Sequence, residues 1–124
     1  MKMSLDGADG AYHIQGYSDD GIRINDVRYA ESLLVTPDTL VTEWGPASLQ
    51  ALTDGHLAAV HDLEPEVVLL GTGARQTFPD RELMLGLLQA GIGLEIMDTA
   101  SACRTYNVLM SEGRRVVAAL IIDR

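Results

Sequence analysis

Residues 94–107 of this chain read LEIMDTASACRTYN, an apolar run followed by small and polar residues. Its first part, residues 94–97, predicts a strand, and the small and polar residues that follow predict the first turns of a helix. A turn of the same kind, residues 71–75, follows a second apolar run at residues 67–70. Because neither run alternates regularly with polar residues, we expect two adjacent parallel strands in the interior of a sheet, covered on both faces.

The two turns are expected to lie at one edge of that sheet. In α/β proteins, ligands bind in the crevice outside the carboxyl ends of the parallel strands. Both turns follow such ends, so the topology is expected to bring together Thr72, Arg75, Thr99, Cys103 and Arg104. The sequence therefore predicts where a functional site lies, at a common rim, but it names no substrate or reaction.

The chain divides into an N-terminal β part and a C-terminal α/β part. Asp-Gly and Asn-Asp turns separate short alternating runs in residues 12–44, which predicts an antiparallel meander. Beyond residue 47 the spacing becomes helical, and the predicted order is helix 56–63, strand 67–70, helix 79–90, strand 94–97, helix 99–110 and strand 116–122. We expect one α/β domain over residues 1–124, with helix 79–90 on one face of the sheet.

The composition excludes several classes of protein. The chain has 124 residues, is 47% hydrophobic and carries a formal net charge of -9. Nucleic acid is therefore not an expected partner, because binding to phosphates needs clustered Lys and Arg. The longest apolar run, residues 116–122, is well short of the roughly 20 residues that a membrane-spanning helix needs. A single cysteine, Cys103, and an N-terminus without an apolar signal segment predict a cytoplasmic location.

The predicted helix at residues 99–110 separates its side chains by face. On a helical wheel, the side expected to face the sheet consists of Thr99, Ala102, Cys103, Tyr106, Leu109 and Met110. The adjoining stripe, expected to face solvent or a partner, consists of Ala100, Arg104, Asn107 and Ser111. Arg104 lies in the first turns, where a cation opposes the helix dipole, so we expect it to have a role outside helix stability. Asp98 or Thr99 is expected to cap this helix.

The glycine turn permits several interpretations. Gly71, Thr72 and Gly73 could place backbone N–H groups around an anion, with Arg75 as a bidentate clamp. A dinucleotide-binding fingerprint fails because Gln76 occupies the third glycine position, and a phosphate-binding P-loop fails because no Gly-Lys-Ser/Thr follows. The simplest interpretation is a tight strand exit that needs only the conformational freedom of glycine.

Cys103 and two histidines are the candidates for catalysis or metal binding. A position near a helix N-terminus beside Arg104 would lower the pKa of the Cys103 thiol, yet no histidine is tied to it by sequence as a base. Cys103 also lies on the sheet-facing side, where a free cysteine packs as a small apolar side chain. His56 and His61 are five residues apart, whereas two metal ligands on one face of a helix are four residues apart. We therefore assign no catalytic residue, metal or cofactor, and we expect a binding protein rather than an enzyme.

Several segments resemble one small protein family. They are VLLGTG at residues 68–73, GIGLEIMDT at 91–99, ACRTYNVL at 102–109 and EGRRV at 112–116, and Trp44 fits the aromatic that closes the early β region of the family. The family comprises short bacterial and archaeal proteins, the third assembly factor of mitochondrial complex I and the animal adipogenesis-associated domain protein. The resemblance spans residues 11–122 and implies a three-layer α/β domain with a central mixed sheet and an additional β layer.

The resemblance implies a binding role and no established reaction. Because its mitochondrial members act as protein-assembly partners, we expect a protein-interaction or assembly module that uses Thr72, Arg75, Arg104 and Asn107. The alternative is a protein that binds a small anionic ligand, or a minor enzyme, at the turns of residues 71–75 and 99–104. The positions taken as the ligand or partner surface are Gly71, Thr72, Gly73, Arg75, Thr99, Cys103, Arg104 and Asn107. Each arginine could instead pair with a nearby acid such as Asp98 or Glu112.

Overall fold

A computed structural model describes residues 11–122 of the chain. The strands are β1 (Ile14–Ser18), β2 (Gly21–Ile24), β3 (Val27–Tyr29), β4 (Leu33–Val35), β5 (Leu40–Val41), β6 (Val67–Gly71), β7 (Gly93–Met97) and β8 (Val116–Leu120). The helices are a short 3₁₀ helix (Leu49–Ala51), α1 (Asp54–His61), α2 (Arg81–Gln89) and α3 (Thr99–Ser111). The predicted succession of a β part and an alternating α/β part is confirmed.

β1, β2 and β3 form a separate three-stranded antiparallel sheet. Ser18 pairs with Gly21 across the first turn, and Asn25 and Asp26 adopt positive φ angles of 46° and 72° in the second. Two consecutive positive φ angles are typical of hairpin turns whose twist matches that of the strands. The predicted meander is confirmed for these strands. It is wrong for β4 and β5, which belong to the larger sheet. β4 is fully buried, so it needs cover on both faces, and its position inside the larger sheet provides that cover.

The larger sheet is mixed and has the strand order β5-β4-β8-β6-β7. β6 pairs in parallel with β7, from Val67 opposite Gly93 to Gly71 opposite Met97, so the predicted adjacency of these two strands is confirmed. β6 also pairs in parallel with β8, which pairs antiparallel with β4. β8 is buried along its whole length and lies at the centre of the sheet.

β7 lies at the edge of the sheet, so the prediction that it lies in the interior is wrong. Gly93 and Glu95 are exposed, and the other residues of β7 are only partly buried. Glu95 supplies the physical reason, because its carboxylate is exposed to solvent on a face that would be covered in an interior strand. The prediction holds for β6, all of whose residues are buried.

Two apolar cores lie on opposite faces of the mixed sheet. On one face, Ile22 and Ile24 of the small sheet share a core with Tyr106 of α3. On the other face, Val60 of α1 and Leu87 of α2 share a second core with Trp44. The protein therefore has the α/β architecture, with a central mixed sheet and an additional β layer, that the family resemblance implies.

α1 and α3 begin at side-chain caps. Thr53 Oγ1 accepts a hydrogen bond from the His56 N–H (3.3 Å), and the Asp98 carboxylate accepts one from the Ser101 N–H (2.8 Å). These are the caps that satisfy free N–H groups in the first turn of a helix. The helix predicted at residues 79–90 is observed as α2, which begins at Arg81, so the loop after β6 extends over residues 72–80.

Candidate functional site

The exits of β6 and β7 are joined by hydrogen bonds, as the prediction of a common rim requires. The Gly73 N–H donates to Thr99 Oγ1 (2.8 Å), and the Thr99 N–H donates to the Gly73 carbonyl oxygen (2.9 Å). Thr99 Oγ1 in turn donates to the Ile121 carbonyl oxygen beyond β8 (2.7 Å). We call the buried set of Gly71, Thr72, Gly73 and Thr99 the rim junction.

The glycines of the rim junction allow close packing. A Cβ at Gly71 would lie 3.0 Å from Thr99 Cα and 3.2 Å from the Ala102 side chain, so only glycine lets the first turn of α3 approach β6 this closely. Gly73 has a φ of +99°, which a residue with a side chain rarely adopts. Both observations fit the interpretation of a tight strand exit.

The rim junction leaves the expected anion site without some of its donors. The N–H groups of Gly73 and Thr99 are bonded within the junction, and the Thr72 N–H donates to the Met97 carbonyl oxygen (2.9 Å). The Ser101 N–H is taken by the Asp98 carboxylate, and this hydrogen bond is the main reason why the pKa of Asp98 is lowered. At these positions the N–H groups that could have surrounded an anion are therefore bonded within the protein, and a carboxylate of the chain occupies the helix N-terminus.

Cys103 lies in the core beneath the rim junction. Its side chain is 3% exposed and packs in the same core as Ala102 and Tyr106. Burial raises the pKa of the Cys103 thiol to about 12, outweighing the opposite effect of the Arg104 guanidinium. The thiol is protonated at neutral pH, and a protonated, buried thiol is a poor nucleophile.

Arg104 and Asn107 occupy different environments, although both belong to the predicted outer stripe of α3. Arg104 is exposed, and its Nη2 donates to Ser101 Oγ (3.1 Å), which donates to the Asp98 carboxylate (2.9 Å). Asn107 instead bonds to β1: its Nδ2 donates to the Ile14 carbonyl oxygen (2.6 Å), and its Oδ1 accepts from the Ile14 N–H (3.0 Å). Asn107 therefore fastens the small sheet to α3.

Arg75 lies beside an open groove, which Thr72 of the rim junction also lines. Two adjoining clefts of about 230 and 330 Å³ run between the 3₁₀ helix and the loop of residues 72–80. We call them together the rim groove; it is lined by Leu49, Gln50, Leu52, Thr72, Ala74, Arg75, Thr77, Phe78, Pro79, Asp80 and Leu83. Arg104 is not among the lining residues, so the structure does not bring the two predicted arginines together at this groove.

Phe78 is the residue of the rim groove that the sequence analysis missed. It is the one phenylalanine of the chain, and it is 63% exposed. Two hydrogen bonds hold the part of the loop that precedes Phe78: the Thr77 N–H donates to Thr72 Oγ1 (3.1 Å), and Gln76 Nε2 donates to the Ile96 carbonyl oxygen (2.9 Å). The signal in the sequence was an aromatic residue beside Pro79, outside the apolar spacing of the helix that follows.

Another cleft, of about 400 Å³, lies at the opposite end of the parallel strands. Arg114 and Arg115 line it, from the segment EGRRV quoted above. Arg114 forms an ion pair with Glu66 (3.1 Å), and Arg115 Nε donates to the Glu64 carbonyl oxygen (3.0 Å). The Arg115 N–H and, to a smaller extent, the Arg114 guanidinium lower the pKa of Glu66. The Arg114 charge is therefore paired within the protein, and the Arg115 guanidinium is held by a backbone carbonyl.

The histidines and acids do not assemble into a metal site among residues 11–122, where no group of three or more potential ligands converges. His56 has a structural role instead: its Nδ1 accepts a hydrogen bond from the Thr53 N–H (3.0 Å), and its ring lies edge-on to Trp44. Within the same described range, no helix combines the length and apolar character needed to cross a membrane.

Known proteins resemble this chain over most of its length. It is 36% identical to NADH dehydrogenase [ubiquinone] 1 alpha subcomplex assembly factor 3 of Rattus norvegicus, over 90% of this chain and 60% of the relative. The chain thus spans well under two thirds of the length of that curated relative.

Two solved structures, both structural genomics targets, share the fold. A Bordetella parapertussis protein is 39% identical and superposes with a TM-score of 0.84, covering 91% of this chain and 97% of that chain. A Bordetella pertussis protein described as an Mth938-like domain is 34% identical, with a TM-score of 0.82 over 99% of this chain and 93% of that chain. The model of one family, described as a protein of unknown function (DUF498/DUF598), matches residues 14–121. Because this family model covers most of the chain, the chain belongs to the DUF498/DUF598 family.

Proposed function

We propose that this protein is an interaction module that takes part in the assembly of a larger protein complex, with the rim groove as its contact surface. The observation that carries the proposal is the 63% exposure of Phe78 at the mouth of that groove. An aromatic side chain at the side of a groove buries a large area on contact at a low entropic cost, so aromatic residues dominate the binding energy of many interfaces.

The surroundings of Phe78 add specificity and preorganisation. Leu49, Leu52 and Leu83 line the groove next to it, and Arg75 lies at its other end. A guanidinium can bind a partner carboxylate bidentately. The hydrogen bonds of Thr72 and Gln76 hold the loop in place before a partner arrives, which reduces the entropy lost on binding.

The relatives indicate which partner to test first. One of them is named as an assembly factor of NADH dehydrogenase, so an assembly intermediate of that enzyme is the first candidate. The chain spans 60% of that relative, and the partner identity is therefore part of the proposal.

Affinity capture from cells of the source organism tests the proposal. We expect tagged protein to retain a complex whose recovery falls about tenfold in Phe78→Ala. Removing a central interface residue costs about 1.4 kcal/mol or more of binding free energy, which corresponds to a tenfold loss of affinity. Val108→Ala is the matched control, because Val108 on α3 is similarly exposed, at 55%, and does not line the rim groove. Equal recovery with Phe78→Ala and Val108→Ala would contradict the proposal.

A small anionic ligand is the alternative occupant of the rim groove. It is supported by Arg75, but the N–H groups of Gly73 and Thr99 bond within the rim junction and add no donors to such a site. A panel of carboxylates and phosphates in thermal unfolding tests this alternative. A rise in the midpoint that is lost in Arg75→Gln would favour a ligand over a protein partner.

A further inference from the structure

The outer edge of β7 offers backbone hydrogen-bonding groups to a partner. Gly93 and Met97 direct their backbone groups toward β6, since the Gly93 N–H donates to the Glu66 carbonyl oxygen and the Met97 carbonyl oxygen accepts from the Thr72 N–H. Direction alternates along a strand, so Leu94 and Ile96 face outward. The Ile96 carbonyl oxygen accepts from the Gln76 side chain. The N–H and carbonyl oxygen of Leu94 and the N–H of Ile96 have no partner among residues 11–122.

One face of this edge is apolar. The side chains of Leu94 and Ile96 are only partly buried, and they pack in the core that α2 covers. Leu88 of α2 is 51% exposed. On the helical wheel Leu88 lies on the flank of α2 opposite Gly86, which lines the cleft between α2 and α1. An apolar strip, Leu88 with Leu94 and Ile96, therefore accompanies the open backbone groups.

The other face of the edge is acidic. Glu95 points to the opposite side of the sheet from Leu94 and Ile96, because side chains alternate along a strand. It is exposed, and it belongs to a chain with a net charge of -9. A strand placed beside β7 would set a side chain directly opposite Glu95, where an opposite charge stabilises and a like charge destabilises the pair.

We propose that an extended segment of a partner protein adds to β7 as a further strand, with apolar side chains on the α2 face and a Lys or Arg opposite Glu95. The proposal rests on the interaction role proposed above, but it uses a different surface from the rim groove. It assigns the main-chain hydrogen bonds to affinity and the alternating side chains to specificity, as in other cases of strand addition.

A second copy of this chain fits the edge less well. Two β7 strands pairing antiparallel and centred on Glu95 would place like charges directly opposite each other, which is destabilising. The net charge of -9 on each copy adds a long-range repulsion. A partner segment with basic residues removes both costs.

Synthetic peptides test the proposal with the full-length protein. The probe is a capped seven-residue peptide that alternates Val and Lys, and its counterpart carries Glu in place of Lys. We expect the Lys peptide to bind with a dissociation constant below about 1 mM and to slow amide exchange at Leu94 and Ile96. N-methylation of the peptide residues whose N–H groups point to β7 should abolish binding, because only that edge of the peptide pairs with the strand.

Charge reversal makes the test specific. In Glu95→Lys the association constant for the Lys peptide should fall about tenfold, and that for the Glu peptide should rise about tenfold. Glu43→Lys is the matched control, because Glu43 is exposed and follows β5 at the other edge of the sheet; it should change neither constant.

Specific outcomes would overturn the strand addition. They are a Lys peptide that does not bind at about 1 mM, peptide preferences unchanged in Glu95→Lys, or a dimer through β7 that excludes the peptide. The proposed function is judged separately, by the loss of captured complex in Phe78→Ala. If Phe78→Ala loses the captured complex as expected and the Lys peptide does not bind, the interaction role remains and only the strand addition at β7 is removed.

Discussion

The rim junction and the rim groove share Thr72 but differ in the burial and the internal hydrogen bonding of their residues. In the rim junction, Gly73 and Thr99 are buried and hydrogen-bonded to each other. In the rim groove, Arg75 and Phe78 are exposed on a loop that borders open clefts. The difference indicates that the motif residues build the scaffold, whereas the residues beside them are available to a partner. Substitutions in the two regions should therefore separate stability from binding.

Thr99→Val should produce the largest loss of stability. The hydroxyl accepts from the Gly73 N–H and donates to the Ile121 carbonyl oxygen. Valine would leave both buried groups unpaired, so we expect the free energy of unfolding in urea to fall by about 2–4 kcal/mol. Thr105→Val is the control, because Thr105 on the same helix is only partly buried; its effect should stay within about 0.5 kcal/mol. Similar losses for both variants would argue against the junction as the scaffold.

Cys103 should make the stability depend on alkaline pH. Burial raises the thiol pKa from 9.0 to about 12, so above pH 9 the unfolded chain loses a proton that the folded protein keeps. The free energy of unfolding should therefore fall as pH rises from about 9 toward 12, by up to about 1.4 kcal/mol per pH unit.

Cys103→Ala should remove this pH dependence at a cost of about 1 kcal/mol near neutral pH. Urea unfolding of both proteins at a series of alkaline pH values measures the difference in slope. Parallel slopes, together with rapid labelling of the native thiol at neutral pH, would show that Cys103 is accessible and reactive.

Phe78→Ala and Arg75→Gln should have the smallest effects on stability. Both side chains are exposed, and substitutions at such positions usually change the free energy of unfolding by less than about 0.5 kcal/mol. The same urea experiment measures them beside Thr99→Val. A loss as large as that of Thr99→Val would mean that the rim groove belongs to the scaffold, and the contrast between the two regions would disappear.

Local patterns in the sequence predict α3 well. Its cap at Asp98 and its buried face are set by residues within a few turns of one another, so spacing alone identifies them. The same holds for the buried apolar run of β6.

Contacts between distant residues explain what the sequence analysis missed. Asn107 has the spacing of an outward-facing residue, but its hydrogen-bond partner Ile14 is 93 positions away in the chain. The apolar run of β7 resembles that of β6, yet strand order places β7 at the edge. The exposure of Phe78 depends on α2 beginning only at Arg81, which a pattern of apolar residues does not reveal.

Photo-crosslinking at position 78 tests directly whether the loop of the rim groove contacts a protein partner. A photoreactive benzoylphenylalanine replaces Phe78 in one sample and Val108 in another, and cells of the source organism are irradiated. Because both positions are exposed, the reagent keeps the fold in each case. We expect a discrete covalent adduct with one protein from position 78 and none from position 108. Adducts from position 108 alone, or from neither position, would contradict it.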